Sequence, residues 1–427
     1  MGKEYRIAQR KINGKVREVK DNKVVMELDV NMAGLIESLP RMVEELALNA
    51  GLLAINAIIN AECEEKAGKK HARIPHRTAN WWGNENGVVC YDGQMVPFER
   101  PRLRGKNGKE VVLETYREFQ NPTDMNRMVA KRFLLGLSSR NYEESVRQLI
   151  KGYGLTKSSV SRKVAQATAE QMRQLMERDL SGLNLCVIFI DGTNYKEHLL
   201  VVAIGVDTEG RKHVLGLREG ATENRELCMG LLEDMARRGL DTSGDYLFIL
   251  DGSKGLRSAV TRMFGANAKV QRCQIHKIRN VCSHLPKKHQ AEITRRIKAA
   301  YKMTDYDDAK ESLDITVNWL KRLNSSAAES LKEGMEETLT LHKLGITGYI
   351  RKTLSSTNVI ESCFSVTSTI TGRVKRWQGN DMVQRWAATS LLRAESKFKR
   401  VKGYRDIPKV IAALKQHKNL DLQKQAA

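Results

Sequence analysis

Two short runs of apolar residues constrain the fold of this chain more than any other feature of its sequence. Residues 185–190 and 246–250 are uninterrupted by charge and too short for a typical helix, a pattern typical of central strands buried on both faces. Each run is followed directly by an aspartate and a glycine, the aspartates being Asp191 and Asp251. If the two strands are parallel neighbours, their carboxyl ends lie at the same end of the sheet, where ligand sites of α/β sheets gather.

Two carboxylates at one end of a sheet would repel each other unless a cation lay between them. Carboxylate oxygens are the ligands that Mg²⁺ and Mn²⁺ prefer. An Asp-Gly pair also makes turns, which is our interpretation of Asp92-Gly93 between two short extended segments. For Asp191 and Asp251, their position after the two most apolar strands favours a metal site over a turn.

The segment around these strands alternates strand and helix patterns. A hairpin is predicted around residues 207–210, a helix over 223–238, a second helix over 253–264 and a short strand at 269–271. This order predicts an α/β fold with a mixed sheet.

The positive charge of the chain is unevenly distributed. The 427 residues include 72 Lys+Arg and 50 Asp+Glu, a net charge of +22. Residues 251–427 hold 34 basic and 16 acidic residues, so they carry +18 of this excess. An isolated basic run is usually a solvated face, but 251–300 and 351–427 each begin near an acidic residue. We interpret them as polyanion-binding walls around an acidic centre, with nucleic acid as the partner.

Membrane and secreted classes are not expected. The longest uncharged apolar stretch, residues 46–61, has 16 residues including three Asn, short of the ~20 that a span needs. The amino terminus lacks the apolar core of a signal peptide, and the seven cysteines are too scattered for a disulfide framework. We therefore expect a protein of the reducing cytoplasm.

The amino-terminal part carries patterns of lower specificity. Residues 31–66 have helical periodicity, and 141–152 with 156–176 predict two helices joined by a turn. Such a pair resembles a helix-turn-helix, whose second helix enters a major groove. Two packed amphipathic helices without a DNA role give the same pattern, so both interpretations stay open. The side chains expected to face the groove are Lys157, Ser158, Ser159, Ser161, Arg162 and Lys163.

A third acid is offered by Glu361, the only acidic residue between Arg351 and Lys375. Ser356 or Thr357 is predicted to cap a helix that contains Glu361 in its first turn. The residues of this helix expected to face the core are Val359, Ile360 and Phe364.

Together these motifs resemble the DDE transposases of the bacterial IS256 family, which are related to the Mutator-like transposases. The motifs that carry the resemblance are DG at 191–192, AIGVD at 203–207, GRK at 210–212, VLG at 214–216, DGSKG at 251–255, QRCQIHKIRN at 271–280 and STNVIES at 356–362. The stretches that follow Asp191 and Glu361 depart from the usual pattern, so the chain resembles a variant subgroup.

The resemblance implies a ribonuclease H-like fold with Asp191, Asp251 and Glu361 as the catalytic triad and metal ligands. It also implies a helical insertion at 281–350, and it makes Cys273 and His276 a marker pair near the active site.

The implied chemistry is phosphoryl transfer on double-stranded DNA, with two Mg²⁺ or Mn²⁺ ions held by the triad. Water would cut at the inverted-repeat ends of a transposon, and the freed 3′-hydroxyl would attack target DNA. Joining two ends requires at least a dimer. The basic residues expected to hold backbone phosphates are Lys254, Arg272, Lys277, Arg279, Arg373 and Arg376.

Other readings of the sequence remain open. The same patterns fit a regulator that binds DNA and has lost catalysis, or a ribonuclease H-like nuclease that only hydrolyses nucleic acid. Zinc is not expected, because the spacing of its two candidate ligand sets is poor. These sets are Cys273, His276, Cys282 and His284, and Cys63, His71, His76 and Cys90.

The predicted organisation has seven segments. They are a helical region at 1–70, a β-ribbon region at 71–120, a helix-turn-helix region at 121–180, the first part of the catalytic core at 181–280, the helical insertion at 281–350, the last part of the core at 351–400 and a basic tail at 401–427.

Overall fold

A computed structural model describes most of the chain. The described residues are 14–20, 23–28, 35–72, 74, 77–91, 94–120, 157–195, 198–220, 224–265, 268–372, 374, 377 and 381–426. The chain divides into two compact units, Met1–Ala167 and Thr168–Ala427. No helix of the described residues combines the length and apolarity that crossing a membrane requires.

The first unit contains a long helix and two antiparallel sheets. Its elements are β1 (Gly14–Lys20), β2 (Lys23–Leu28), α1 (Leu35–Ala67), β3 (Ala79–Tyr91), β4 (Gln94–Gly105), β5 (Glu110–Val111) and α2 (Glu114–Phe119). The predicted helix at 31–66 and the hairpin around Asp92-Gly93 are confirmed, with Tyr91 opposite Gln94. The pair formed by β1 and β2 was not predicted.

The helix-turn-helix prediction falls mostly outside the described residues. Its second helix is present as α3 (Lys157–Met176), whereas its first, at 141–152, lies in the part of the chain that is not described. Ser161 and Arg162 are exposed. The side chains of Lys157, Ser158, Ser159 and Lys163 are outside the described set.

A five-stranded mixed sheet forms the centre of the second unit. Its strands are β6 (Leu185–Tyr195), β7 (His198–Asp207), β8 (Lys212–Gly220), β9 (Tyr246–Leu250) and β10 (Ala268–Arg272). Their order is β10-β9-β6-β7-β8, with β6, β9 and β10 parallel and β7 antiparallel to both β6 and β8. The predicted α/β class and the central position of the first apolar strand are confirmed.

Helices cover both faces of this sheet because alternate residues of each buried strand point to opposite sides. Ile188 of β6 packs with α4 (Arg225–Arg237) and α5 (Lys254–Phe264) on one face. Phe189 packs on the other face with α13 (Asn358–Thr371) and α14 (Met382–Glu395). Neither side of β6 meets water, which explains why the apolar run at residues 185–190 has no polar face.

The segment between β10 and α13 is helical, as predicted for the insertion. It contains α6 (Gln274–Ser283), α7 (Lys287–Lys302), α8 (Tyr306–Leu323), α9 (Ser325–Lys332), α10 (Met335–Thr338), α11 (Thr340–Lys343) and α12 (Gly348–Leu354). After α14, a 3₁₀ turn (Tyr404–Asp406) leads into α15 (Ile407–Ala426). The side-chain amide of Gln271 on β10 donates to the carbonyl of Thr338, which fixes the end of the insertion to the sheet.

Candidate active site

The sheet brings the two predicted aspartates to the same end. Ile190 of β6 lies opposite Leu250 of β9 in parallel register, and Asp191 and Asp251 are the next residues of their strands. The prediction that Asp191 stands beyond the end of its strand is wrong. Pairing with β9 stops at Ile190, but pairing with β7 continues past Asp191, which lies opposite Val202, as far as Tyr195.

Helix α13 brings Glu361 to Asp191 and His276, whereas Asp251 lies outside this close group. Ile360 and Phe364 are buried in the core against the sheet, as predicted, and this packing fixes the first turn of the helix. One ligand atom from each of Asp191, His276 and Glu361 lies within 4.8 Å of the others. Within the described residues, this is the only group of three or more His, Cys, Asp or Glu side chains close enough to hold a metal ion.

The electrostatics of the site favour a bound cation. Burial, and after it the neighbouring Asp251, raise the pKa of Asp191, which is about 7. His276, the hydroxyl of Thr357 and the backbone N–H of Gly192 oppose this effect only in part. A divalent cation would stabilise the ionised carboxylate, so the oxygen ligands present here fit Mg²⁺ or Mn²⁺.

The marker pair is connected to the acids through Thr357. Cys273 precedes the first residue of α6, and its sulfur accepts hydrogen bonds from the backbone N–H groups of His276, at 3.5 Å, and Thr357, at 3.4 Å. The Thr357 hydroxyl lies 3.4 Å from Nδ1 of His276, and Nε2 of His276 lies 3.5 Å from Oε1 of Glu361. The pKa of His276 is raised to about 9, mainly by its hydrogen bond with the sulfur of Cys273. The imidazolium therefore faces Glu361 at neutral pH.

Thr357 has a role that sequence reasoning missed. It stands at the N-cap position of α13, but its side chain makes no capping hydrogen bond. The hydroxyl donates instead to the sulfur of Cys273, at 3.6 Å. The signal in the sequence was its position inside the STNVIES motif.

Two of the predicted phosphate contacts are accessible beside the acids. The Lys254 side chain is 90% exposed at the start of α5, close behind Asp251. Nη1 of Arg279 lies 3.4 Å from Oε1 of Glu361, and its side chain is 60% exposed. Arg373 and Arg376 lie outside the described residues.

Two other predicted phosphate contacts are buried. The ammonium of Lys277 donates to the carbonyls of Ser330 and Glu333, both at 2.5 Å. Arg272 donates to the carbonyl and the carboxylate of Glu333, both at 3.2 Å. These cations bind the carboxyl end of α9, where helix carbonyls are unpaired and carry partial negative charge. The expectation that Lys277 and Arg272 contact DNA phosphates is therefore wrong for this structure.

Comparison with known proteins identifies the family. Residues 32–379 match the family described as transposase, Mutator family. The transposase for insertion sequence element IS6120 of Mycolicibacterium smegmatis is 31% identical over 248 residues, covering 56% of this chain and 75% of the relative. The transposase for IS256 in transposon Tn4001 of Staphylococcus aureus is 28% identical over 311 residues, covering 71% and 77%.

A third relative, the transposase for IS905 of Lactococcus lactis, is 26% identical over 321 residues, which cover 72% of this chain and 78% of the relative. The resemblance inferred from the sequence motifs is confirmed. Because the family match spans most of its length, this chain belongs to the Mutator family of transposases.

Proposed function

We propose that this protein is a DDE-type transposase that cuts DNA at the inverted-repeat ends of an insertion sequence and transfers the freed 3′-hydroxyl to target DNA. The proposal is carried by two observations: the strand register sets Asp251 beside Asp191 at one end of the sheet, and ligand atoms of Asp191, His276 and Glu361 lie within 4.8 Å of one another. Three antiparallel strands followed by two parallel ones support a ribonuclease H-like fold for this unit.

Asp191, Asp251 and Glu361 would hold two Mg²⁺ or Mn²⁺ ions, with Asp191 shared between them. When bound, such ions activate the attacking oxygen and neutralise the charge that develops at the phosphate. The burial of Asp191 keeps its carboxylate in a fixed position and excludes bulk water from one side of the site. His276 orients Glu361 through the contact between Nε2 and Oε1.

Lys254, three residues after Asp251, and Arg279, which contacts Glu361, would hold backbone phosphates of the DNA, since both side chains are exposed. The division of the chain into seven segments, with end recognition before residue 181, belongs to the same proposal. So does a dimeric or larger assembly, because two ends have to be joined.

A joining assay tests this function. Labelled DNA carrying one end of the insertion sequence is incubated with a target plasmid, in Mg²⁺ and in EDTA. Asp191→Asn, Asp251→Asn and Glu361→Gln should each lower cleavage by about 10³-fold or more, because each removes a metal ligand. Binding of the same DNA in an anisotropy titration should change little.

Asp314→Asn, an exposed acid on α8, is the control and should cleave like the unmodified protein. Undiminished cleavage by Asp191→Asn would exclude the assigned triad. Hydrolysis without joining would indicate a nuclease, and end binding without cleavage by the unmodified protein would indicate a regulator.

A further inference from the structure

A second basic surface lies in the catalytic unit at a distance from the acids. We call residues 396–405, which follow α14 and run into the 3₁₀ turn, the basic loop. The segment contains five cations and no acidic residue. The five are Lys397, Lys399, Arg400, Lys402 and Arg405, of which all are exposed.

The basic loop is fixed to the turn between β7 and β8. The backbone N–H of Val401 donates to the carbonyl of Gly210, at 2.9 Å, and the Val401 side chain is buried. Gly210 has a φ of +79°, and a Cβ added there would lie 2.4 Å from Cβ of Tyr404. This close approach places Arg211 and Lys212 beside the loop. The cations are therefore held together by the fold before any ligand arrives.

The acids near this surface are already engaged. Glu209 pairs with both Arg211 and Arg400, the latter at 3.5 Å. Glu395 faces inward, where it accepts from Arg178, at 2.7 Å, and from a backbone N–H of β8. Among the ion pairs of the described residues, none includes the three lysines of the basic loop, Lys397, Lys399 and Lys402.

The surface also contains a cleft of about 350 Å³ with a mostly cationic lining. Lys212 stands at its wall with its ammonium 4.6 Å from the ring centre of Phe398. Arg400 lies over the ring of Tyr404 at 5.0 Å. Contact of this kind helps to hold the guanidinium in place.

The direction of β6 determines where this surface lies. Leu185, at the start of β6, pairs with Asp207 just before the β7–β8 turn, whereas Asp191 pairs with Val202. The basic loop and the acids are thus at opposite ends of the same strands. Six residues of strand separate them, which corresponds to about 20 Å at ~3.3 Å per residue. This distance matches about six base pairs of duplex DNA at ~3.4 Å each.

We propose that the basic loop binds backbone phosphates of duplex DNA at least about 20 Å from the reacting phosphodiester. The ligand class follows from the chemistry of the surface: several exposed ammonium and guanidinium groups held in one loop fit the repeating phosphates of a duplex. The proposal rests on the proposed function in that DNA is taken as the substrate.

The salt dependence of DNA binding tests the proposal. The triple variant Lys397→Gln, Lys399→Gln, Lys402→Gln is compared with the unmodified protein on a 40-base-pair duplex carrying the end of the insertion sequence. Each phosphate contact contributes about 0.9 to the slope of log affinity against log salt, so loss of three contacts should reduce the slope by about 2 to 3.

Two controls make the result specific. Replacing the same lysines with Arg keeps the charge and should keep the slope. Replacing Lys288, Lys321 and Lys332, exposed on helices of the insertion, with Gln removes three charges elsewhere and should also keep it. An unchanged slope in the loop variant, or an equal reduction in the insertion variant, would overturn the proposal. So would a loop variant that keeps the slope and changes only the oligomeric state, since the surface would then contact a second copy.

Cleavage by the Asp191→Asn variant, measured in parallel, separates this proposal from the proposed function. If that variant loses cleavage while the loop variant keeps its slope, the loop proposal alone fails. If the loop variant loses slope while Asp191→Asn still cleaves, the assigned active site alone fails.

Discussion

At the scale of single residues, the glycine that follows Asp251 is explained by a buried guanidinium. Gly252 has a φ of +113°, and a Cβ added to it would lie 2.3 Å from Nε of Arg272. A Cβ added to Gly334, with a φ of +60°, would lie 2.4 Å from Nη1 of the same side chain. The Arg272 side chain is 7% exposed and is held by the carbonyl and the carboxylate of Glu333. Both glycines therefore provide room for Arg272.

Gly252→Ala should destabilise the protein by about 2 to 4 kcal/mol, since it combines backbone strain of ~1 kcal/mol with a steric clash of ~1 to 3 kcal/mol. It should also lower DNA cleavage, because Asp251 is the preceding residue. Gly345→Ala is the control: its φ is +64°, and a Cβ there meets nothing within 4 Å. Only the strain remains, about 1 kcal/mol. Urea denaturation measures both, and equal losses for the two variants would contradict the role given to Arg272.

The sequence indicated the candidate acids but not the residues that support them. Asp191 and Asp251 follow apolar runs, a local pattern that is visible in the printed sequence. The burial of Arg272 and Lys277 depends on Glu333, about 60 positions away, which brings the end of α9 against β10. Sequence spacing contains no signal for that contact, so both cations were interpreted as DNA ligands.

At the scale of elements, the strands and helices between residues 181 and 280 were predictable because their apolar patterns are long and regular. The residue at which β6 ends was not predictable. Its pairing with β7 extends through Tyr195, so the DG motif at Asp191 lies within a strand, while the same motif at Asp251 ends one. The difference depends on whether a neighbouring strand continues to pair beyond the aspartate. The sequence of the strand itself does not contain that information.

One contact between elements in the first unit makes stability depend on pH. Glu62 of α1 accepts hydrogen bonds from the backbone N–H groups of Glu114, at 2.9 Å, and Thr115, at 3.0 Å, at the start of α2. Lys66 donates to the same carboxylate at 2.6 Å. Burial raises the pKa of Glu62, but these hydrogen bonds and that from the Thr115 hydroxyl outweigh it and lower the pKa to about 2.

Glu62→Gln should therefore cost about 2 to 3 kcal/mol at pH 7, the usual loss for hydrogen bonds to a charged group. Because the folded pKa lies below the unfolded value of 4.5, this stabilisation is complete above about pH 4.5 and is lost as the pH falls towards 2. Urea denaturation between pH 7 and pH 3 should show the two proteins converging in stability. Glu65→Gln, an exposed position on the same helix, should change little, and a constant difference at all pH values would refute the assignment.

At the scale of the whole molecule, the net charge of +22 serves several purposes. Arg272 and Lys277 are buried inside the fold. Lys254 and Arg279 lie beside the acids, and the basic loop lies at the other end of the sheet. The interpretation of residues 351–427 as a wall around the acidic centre is thus wrong for the basic loop. Composition measures how much charge a segment carries, but strand direction decides where that charge is presented.

The division into two compact units separates the proposed catalytic site from the proposed recognition of DNA ends. A fragment beginning at Lys157 keeps the five-stranded sheet, both of the core clusters that cover its faces and all three acids. It should therefore fold, with helix and strand signals in circular dichroism and one cooperative thermal transition.

The fragment should also keep the salt-dependent affinity supplied by the basic loop, but lose the preference for end sequence that residues 1–156 are proposed to supply. Specific binding typically exceeds non-specific binding by about 10³-fold or more, so competition between an end duplex and a scrambled duplex should show that ratio falling to about 1. A fragment that retained the preference would move end recognition into the catalytic unit.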